Sequence, residues 1–181
     1  MPRINDVPYT ASMYMARAFD RRIEPTLEKL AERTNRYFDT KARPDACVFT
    51  GLSGSLVGVR FAHLIGANPG AIRKPGESCH GQEYEGPGIV RNYIIIDDFI
   101  SGGNTCNRIF DTMKRFHPGA KLLAVVLWNA CYTETWTRHY NAYEDHLGNQ
   151  VPAGREEYPV LTLHFDDHSK IWDTGDDAGP F

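Results

Sequence analysis

Three short apolar runs constrain the fold of this chain more than any other feature. "ACVFT" (46–50), "YIIID" (93–97) and "KLLAVVLW" (121–128) are continuous in hydrophobicity rather than alternating. Strands covered on both faces read this way. The first run is followed by the glycine turn "GLSG" and then by "SLVGVRFAHLIG", a helical segment with Leu56, Phe61, Leu64 and Ile65 available for packing. The second is followed by a small-residue stretch and then by "NTCNRIFDTMKRFHPG". Here Ile109, Phe110, Met113 and Phe116 are expected to face inward, and Pro118 and Gly119 stop the helix. "AIRK" (71–74) reads as a further short strand. Strands alternating with helices predict an α/β fold with a mostly parallel central sheet and helices on both faces.

The flanks are less regular. Phe19, Ile23, Leu27, Leu30, Thr34 and Tyr37 recur at steps of three or four and give one apolar helical face. Pro25 interrupts that stripe, so two helices or a kink are expected, with Pro25 in a first turn. "PGESCHGQEYEGPG" (75–88) is polar and rich in glycine and proline, which predicts a mobile loop. Beyond Trp128, "TETWTRHYNAYEDHL" is compatible with a helix, "YPVLTLHF" with a strand, and the acidic tail "DTGDDAGPF" with a loose end. There is no internal repeat and no linker, so residues 1–181 are read as one domain.

Composition narrows the function. The chain is 41% hydrophobic and 24% charged, with a formal charge of -3, and its pI is about 6.1. That is ordinary for a soluble globular protein, and no global basic field draws it to nucleic acid. Its four cysteines, Cys47, Cys79, Cys106 and Cys131, form no CxxC pair and suit a reducing cytoplasm. The N-terminal stretch lacks the apolar region of a signal peptide, and no apolar run approaches the roughly 20 residues that span a bilayer. A cytoplasmic protein without membrane attachment is the expectation.

The chemistry concentrates at the carboxyl ends of the expected strands, where open parallel sheets bind ligands. Asp97 and Asp98 stand side by side at such an end, although adjacent carboxylates repel. Vicinal hydroxyls, such as those of a ribose, would give them charge-assisted hydrogen bonds. Next comes the stretch Ser101, Gly102, Gly103, Asn104 and Thr105, a turn entering a helix. Its backbone N–H groups and hydroxyls could surround a phosphate, helped by the helix N-terminus. An acidic pair beside a phosphate cradle fits a ribose 5-phosphate. The blander alternative is two solvated acids followed by a glycine turn and a helix cap.

"YIIIDDFISGGNT" resembles the PRPP-binding signature of the type I phosphoribosyltransferases: hydrophobics, two acids, two hydrophobics and a small-residue loop ending in Thr. The resemblance spans about Cys47 to Trp128. It implies that Asp97 and Asp98 hold the ribose hydroxyls of phosphoribosyl pyrophosphate (PRPP), and that residues 101–105 hold its 5-phosphate. Gly102 departs from the many members with Thr or Ala there, which removes one side-chain contact. "VFTGLSGSLVGVRFA" is similar to the family's pyrophosphate loop, placing Gly51, Leu52, Ser53 and Gly54 on pyrophosphate, with a strained cis peptide expected near Leu52 and Ser53. "AIRKPG" is similar to the strand end before the family's catalytic loop, so Arg73 and Lys74 would also meet pyrophosphate. "RKPGESCHG" partly resembles the orotate branch without its loop lysine, and "RKPG" with "QEYEG" partly resembles the adenine branch with a shorter loop. His80 and Glu83 are the candidate catalysts on that loop, which would close over bound PRPP.

The implied function is transfer of ribose 5-phosphate from PRPP to a purine or pyrimidine base with release of pyrophosphate, as part of nucleotide metabolism. The implied cofactor is Mg²⁺, held mostly by PRPP and water, with Asp97 or Asp98 as a contact. The implied partners are PRPP and a nitrogenous base, and a homodimer is compatible with the family. The base-binding hood would come from residues 1–44 and 129–181, around a core of about 45–128. The alternative is a PRPP- or nucleotide-binding regulator on the same scaffold with little or no catalysis.

Other motifs fall away. "GLSGS" resembles a nucleophile elbow around Ser53, but Ser55 occupies the place of the second glycine. Cys79 with His80, or Cys131 with His139, does not reach metal-ligand spacing. Trp128, Tyr132, Trp136, Tyr140 and Tyr143 could stack a base, yet aromatics at such spacing are commonly core.

Overall fold

The computed structural model describes residues 23–74, 82–129, 133–145 and 147–163. Helix α1, Ile23–Phe38, opens the described chain, and Pro25 sits in its first turn as expected. Phe19 and the acidic tail lie outside the described residues. Strand β1, Ala46–Thr50, is followed at once by helix α2, Gly51–Ile65, and then by β2, Asn68–Ile72. A two-residue strand β3, Tyr84–Glu85, precedes β4, Asn92–Asp97. Helix α3, Asn104–Phe116, leads to β5, Lys121–Leu127. The chain continues through β6, Thr135–Tyr140, the short hairpin strands β7, Tyr143–Glu144, and β8, Gln150–Val151, and then β9, Gly154–Thr162.

Seven strands form one sheet in the order β3-β2-β1-β4-β5-β9-β6. The central pairs, from β2 through β9, are parallel, while β3 and β6 pair antiparallel at the two edges. The expected α/β fold with a mostly parallel sheet is therefore present. Successive residues point to opposite faces of a strand, and the core divides accordingly. Cys47, Phe49, Ile94 and Ile96 pack with α1 and α2 on one face. Ala46, Val48, Tyr93 and Ile95 pack with Ile109 and Met113 of α3 on the other. The continuous apolar runs are those of strands buried on both sides.

Several expectations need correction. The stretch 135–140 is a strand, not a helix: Trp136 and Arg138 turn inward toward α3, where Arg138 pairs with Asp111 at 2.8 Å. The alternating T-W-T-R-H-Y pattern, with β-branched and aromatic residues, is a two-residue period. Phe116 is exposed, and Cys106 and Thr112 share the buried face of α3 with Ile109 and Met113 instead. The strand read at 71–74 begins at Asn68 and ends at Ile72, with Pro69 in it. Beside Pro69 the β3 side is unpaired, because β3 reaches only Ala71 and Ile72, so the missing N–H is tolerated there.

The stretch 75–88 is not uniformly a loose loop. Tyr84 is buried and packs edge-on to His117, with ring centroids 5.0 Å apart, which pins β3 to the sheet. The flanking segments also join the core. Residues 23–38 pack into the core against α2, and residues 154–162 run between β5 and β6 as an integral strand.

Candidate functional site

The order of the sheet creates a topological switch. From β1 the chain moves outward through α2 to β2, and it later returns on the other side of β1 as β4, followed by α3. A crevice forms where consecutive connections leave in opposite directions. The register shows what lines it. Val48 is level with Ile95, so two residues further on Thr50 is level with Asp97. On the other side Thr50 is level with Ile72, which puts Arg73 and Lys74 beside the first residues of α2.

The acidic pair ends β4. Asp97 Oδ1 accepts the Asp98 N–H at 3.0 Å, and Asp98 Oδ1 accepts the Phe99 N–H at 2.9 Å. Each carboxylate thus braces the next peptide and keeps lone pairs to spare. Partial burial, with the adjacent negative charge of Asp98, pushes the Asp97 carboxyl up to about 7. Asp97 is therefore poorly compensated within the chain, as a group awaiting a positive or hydrogen-bond-donating partner would be.

The turn after the pair is open, with Ser101, Gly102 and Asn104 exposed. It enters α3 through Gly103, whose φ of 72° is in the left-handed region. A Cβ there would lie 2.8 Å from Nε1 of the buried Trp136. Glycine is required on both counts, conformation and space. No side chain caps this helix start, so its first N–H groups face the turn as an anion-binding terminus.

The facing turn differs from expectation. Residues 51–54 are the first turn of α2 rather than a loop before it, and the backbone holds no cis peptide among the described residues, including 52–53. Gly51 itself has φ 70°. A Cβ on it would meet Lys74 Cε at 3.1 Å and Nζ at 3.4 Å, so the Lys74 ammonium lies directly over this second helix N-terminus. Ser53 is part-exposed beside it and Leu52 faces solvent. Ser55 turns its hydroxyl back to donate to the Gly51 carbonyl at 2.7 Å.

The fold brings together Asp97, Asp98, residues 101–105, Gly51 to Gly54 and Lys74. It directs other residues elsewhere. Arg73 donates to Glu85 on β3 at 2.7 Å. Glu83 accepts from Arg115 at 2.6 Å and from Thr112 at 3.1 Å, and these bonds, chiefly that of Arg115, hold its carboxyl below the usual range. Thr112 is eight residues into α3, about 12 Å along the axis from the turn at 101–105, at 1.5 Å per residue. His80 lies outside the described residues. Of the aromatics, Trp128 and Trp136 are core, Tyr140 and Tyr143 pack on each other with ring centroids 5.7 Å apart, and Tyr132 lies outside the described residues.

Sequence reasoning missed Arg108 and Thr50 beside these turns, and it weighed Trp136 only as a base-stacking or core aromatic. Arg108, in the second turn of α3, donates from Nη2 to Thr50 Oγ1 at 3.1 Å and partly offsets the charge of Asp97. Trp136 walls the back of the turn at Gly103. A cation four residues after the helix start was the available signal for Arg108, since long helical side chains lean toward the N-terminus. Nothing local marked Thr50 or placed Trp136 behind Gly103.

No family model matches the chain, and no curated protein matches it. Solved structures do. Adenine phosphoribosyltransferase from Saccharomyces cerevisiae, solved with adenine, is 21% identical, with 57% of this chain and 68% of that one covered and a TM-score of 0.47. Orotate phosphoribosyltransferase from Francisella tularensis is 15% identical, with 84% and 73% covered and a TM-score of 0.48. Orotate phosphoribosyltransferase from Mycobacterium tuberculosis, in complex with PRPP, is 11% identical, with 65% of each chain covered and a TM-score of 0.48. No helix among the described residues is long and apolar enough to cross a membrane.

Proposed function

We propose that the protein transfers ribose 5-phosphate from PRPP to a purine or pyrimidine base, releasing pyrophosphate. The observation that carries this reading is the crevice between β1 and β4. Its two walls each end in a glycine with positive φ at an uncapped helix start, and an under-compensated acidic pair stands between them. Two anion-binding termini flanking a hydroxyl-accepting pair suit a sugar with a phosphate at one end and a pyrophosphate at the other. Residues 101–105 take the 5-phosphate, Asp97 and Asp98 the ribose hydroxyls, and residues 51–54 with Lys74 the pyrophosphate.

Cleavage at C1 builds positive charge on the ribose and negative charge on the leaving group. The residues present answer both: the carboxylates face the sugar, and the α2 N-terminus with Lys74 faces pyrophosphate. The acidic pair also fits Mg²⁺, a hard cation that binds through one or two carboxylates and keeps several waters. When bound, the ion would neutralise pyrophosphate charge. Asp97 and Asp98 would hold it, directly or through water, alongside ligand oxygens. No group of three or more His, Cys, Asp or Glu among the described residues is placed to hold a metal.

The test is PRPP consumption with Mg²⁺ across a panel of purines and pyrimidines, beside calorimetric PRPP binding to the wild type and to Asp97→Asn/Asp98→Asn. Turnover with one base, and loss of PRPP binding in a still-folded double variant, is the expected result. Saturable binding without turnover would leave a regulator on this scaffold. Unchanged PRPP affinity in the double variant would remove the site assignment.

A further inference from the structure

We propose that Arg108 is a positioning residue: its hydrogen bond to Thr50 at the end of β1 ties α3, the helix entered by residues 101–105, to the entry of the Gly51–Gly54 turn. This rests on the ligand class proposed above. The pairing of β1 with β4 ends at Val48 and Ile95, so the last two residues of each strand lie beyond the ladder, where the strands carry the site. Something else must fix their separation. Arg108 reaches the end of β1 from α3, which packs against β1 on one face of the sheet.

Its Nη2 bonds Thr50 Oγ1 at 3.1 Å, and Thr50 is itself buried, at 8% exposed. Thr50 immediately precedes Gly51, where the pyrophosphate-side turn begins. The Arg108 Nε–H is buried and has no partner among the described residues. A buried N–H donor left unspent is costly. That cost is reasonable if the side chain is needed where it stands. Its charge also sits in the field of Asp97 and lowers the carboxyl's affinity for a proton. One side chain therefore touches the entry to one turn and the electrostatics of the other.

The consequence is a particular binding signature. A ligand that occupies both turns gains from their fixed spacing, because its second end binds at high effective concentration. A ligand that fills one turn gains nothing from it. Loss of the tie should thus weaken PRPP selectively and spare ribose 5-phosphate and inorganic pyrophosphate.

The experiment is calorimetric titration of those three probes, with Mg²⁺, into wild type, Arg108→Gln, Arg108→Lys and Thr50→Val. Arg108→Gln should bind PRPP about tenfold more weakly, as for loss of a charged hydrogen bond. The two single-turn probes should change by less than about twofold by the same reasoning. Arg108→Lys should recover part of the loss, because it restores the charge. Thr50→Val, nearly isosteric, should show the same selectivity at smaller amplitude, and it carries the test if Arg108→Gln does not fold.

Equal weakening of all three probes would reduce Arg108 to a general structural role and overturn the inference. Loss confined to one single-turn probe would make it a direct ligand contact and also overturn it, as would no change at all. If the wild type binds no PRPP, the functional reading itself fails and the inference with it. If the wild type binds PRPP and the selectivity is absent, only the inference fails.

Discussion

Replacing Asp97 by Asn tests whether the site is strained for a ligand's sake. The Asp97 carboxyl is raised from an ordinary 3.8 to about 7 by burial and by Asp98. Between those values the folded protein binds more protons than the unfolded chain, so stability falls as pH rises through the window and is level above it. At about 1.4 kcal/mol per pH unit the full window would amount to about 4 kcal/mol. Asp97 is only part-buried, so roughly half of that is the reasonable expectation. Asn keeps the oxygen that accepts the Asp98 N–H but carries no charge. The variant should therefore match the wild type near about pH 4 and exceed it by roughly 2 kcal/mol near about pH 8. Urea denaturation of both proteins across that range, read as a difference curve, isolates this carboxyl from the others. In the same variant PRPP should no longer stabilise the fold. A pH-independent difference, or a variant less stable than wild type at the alkaline end, would refute the reasoning.

Other substitutions probe the remaining parts. Gly103→Ala should cost on the order of 1–3 kcal/mol, from the left-handed backbone and the clash with Trp136, and should abolish phosphate binding; thermal melts and phosphate titration check it. Lys74→Ala should weaken PRPP far more than ribose 5-phosphate, since Lys74 overlies the α2 terminus; equal weakening would place its ammonium elsewhere. Glu83→Gln should change stability by less than about 1 kcal/mol, its ion pair with Arg115 being exposed, and should leave turnover intact. A fall in kcat at constant PRPP affinity would instead return Glu83 to the chemistry. Gly58→Ala should destabilise by about 1–3 kcal/mol, because its Cβ would collide with the Phe49 ring in the core; denaturant melts measure it.

The central strands were legible because burial on both faces leaves an unbroken apolar run, and a glycine turn with a helical period follows. The same logic placed both turns proposed to hold ligand at strand ends, since their residues are contiguous in sequence. What failed was non-local. Thr135 to Tyr140 carries its two-residue period over only six residues, and pairing with the later strand β9 fixes it as a strand. Tyr84 reads as part of a polar loop until Gly70 and Gly86 are seen to leave room for its ring. Glu83 resembles a free loop acid until α3 supplies Arg115 and Thr112. Arg108 and Thr50 are 58 residues apart, and no local pattern connects them.

The place of β9 sets an order of events for the growing chain. β6 joins the sheet only through β9, at the register Trp136–Tyr158. The ribosome therefore delivers Trp136 roughly 20 residues before the strand that fastens it, a delay of seconds at ordinary synthesis rates. Residues 101–105 emerge earlier still, so the phosphate turn exists for a time with no wall behind Gly103. A nascent chain halted before Gly154 would hold nearly every residue of the site and yet lack its finished shape. Competence to bind would then arrive in one late step, when β9 slides between β5 and β6 and brings the indole to the back of the turn.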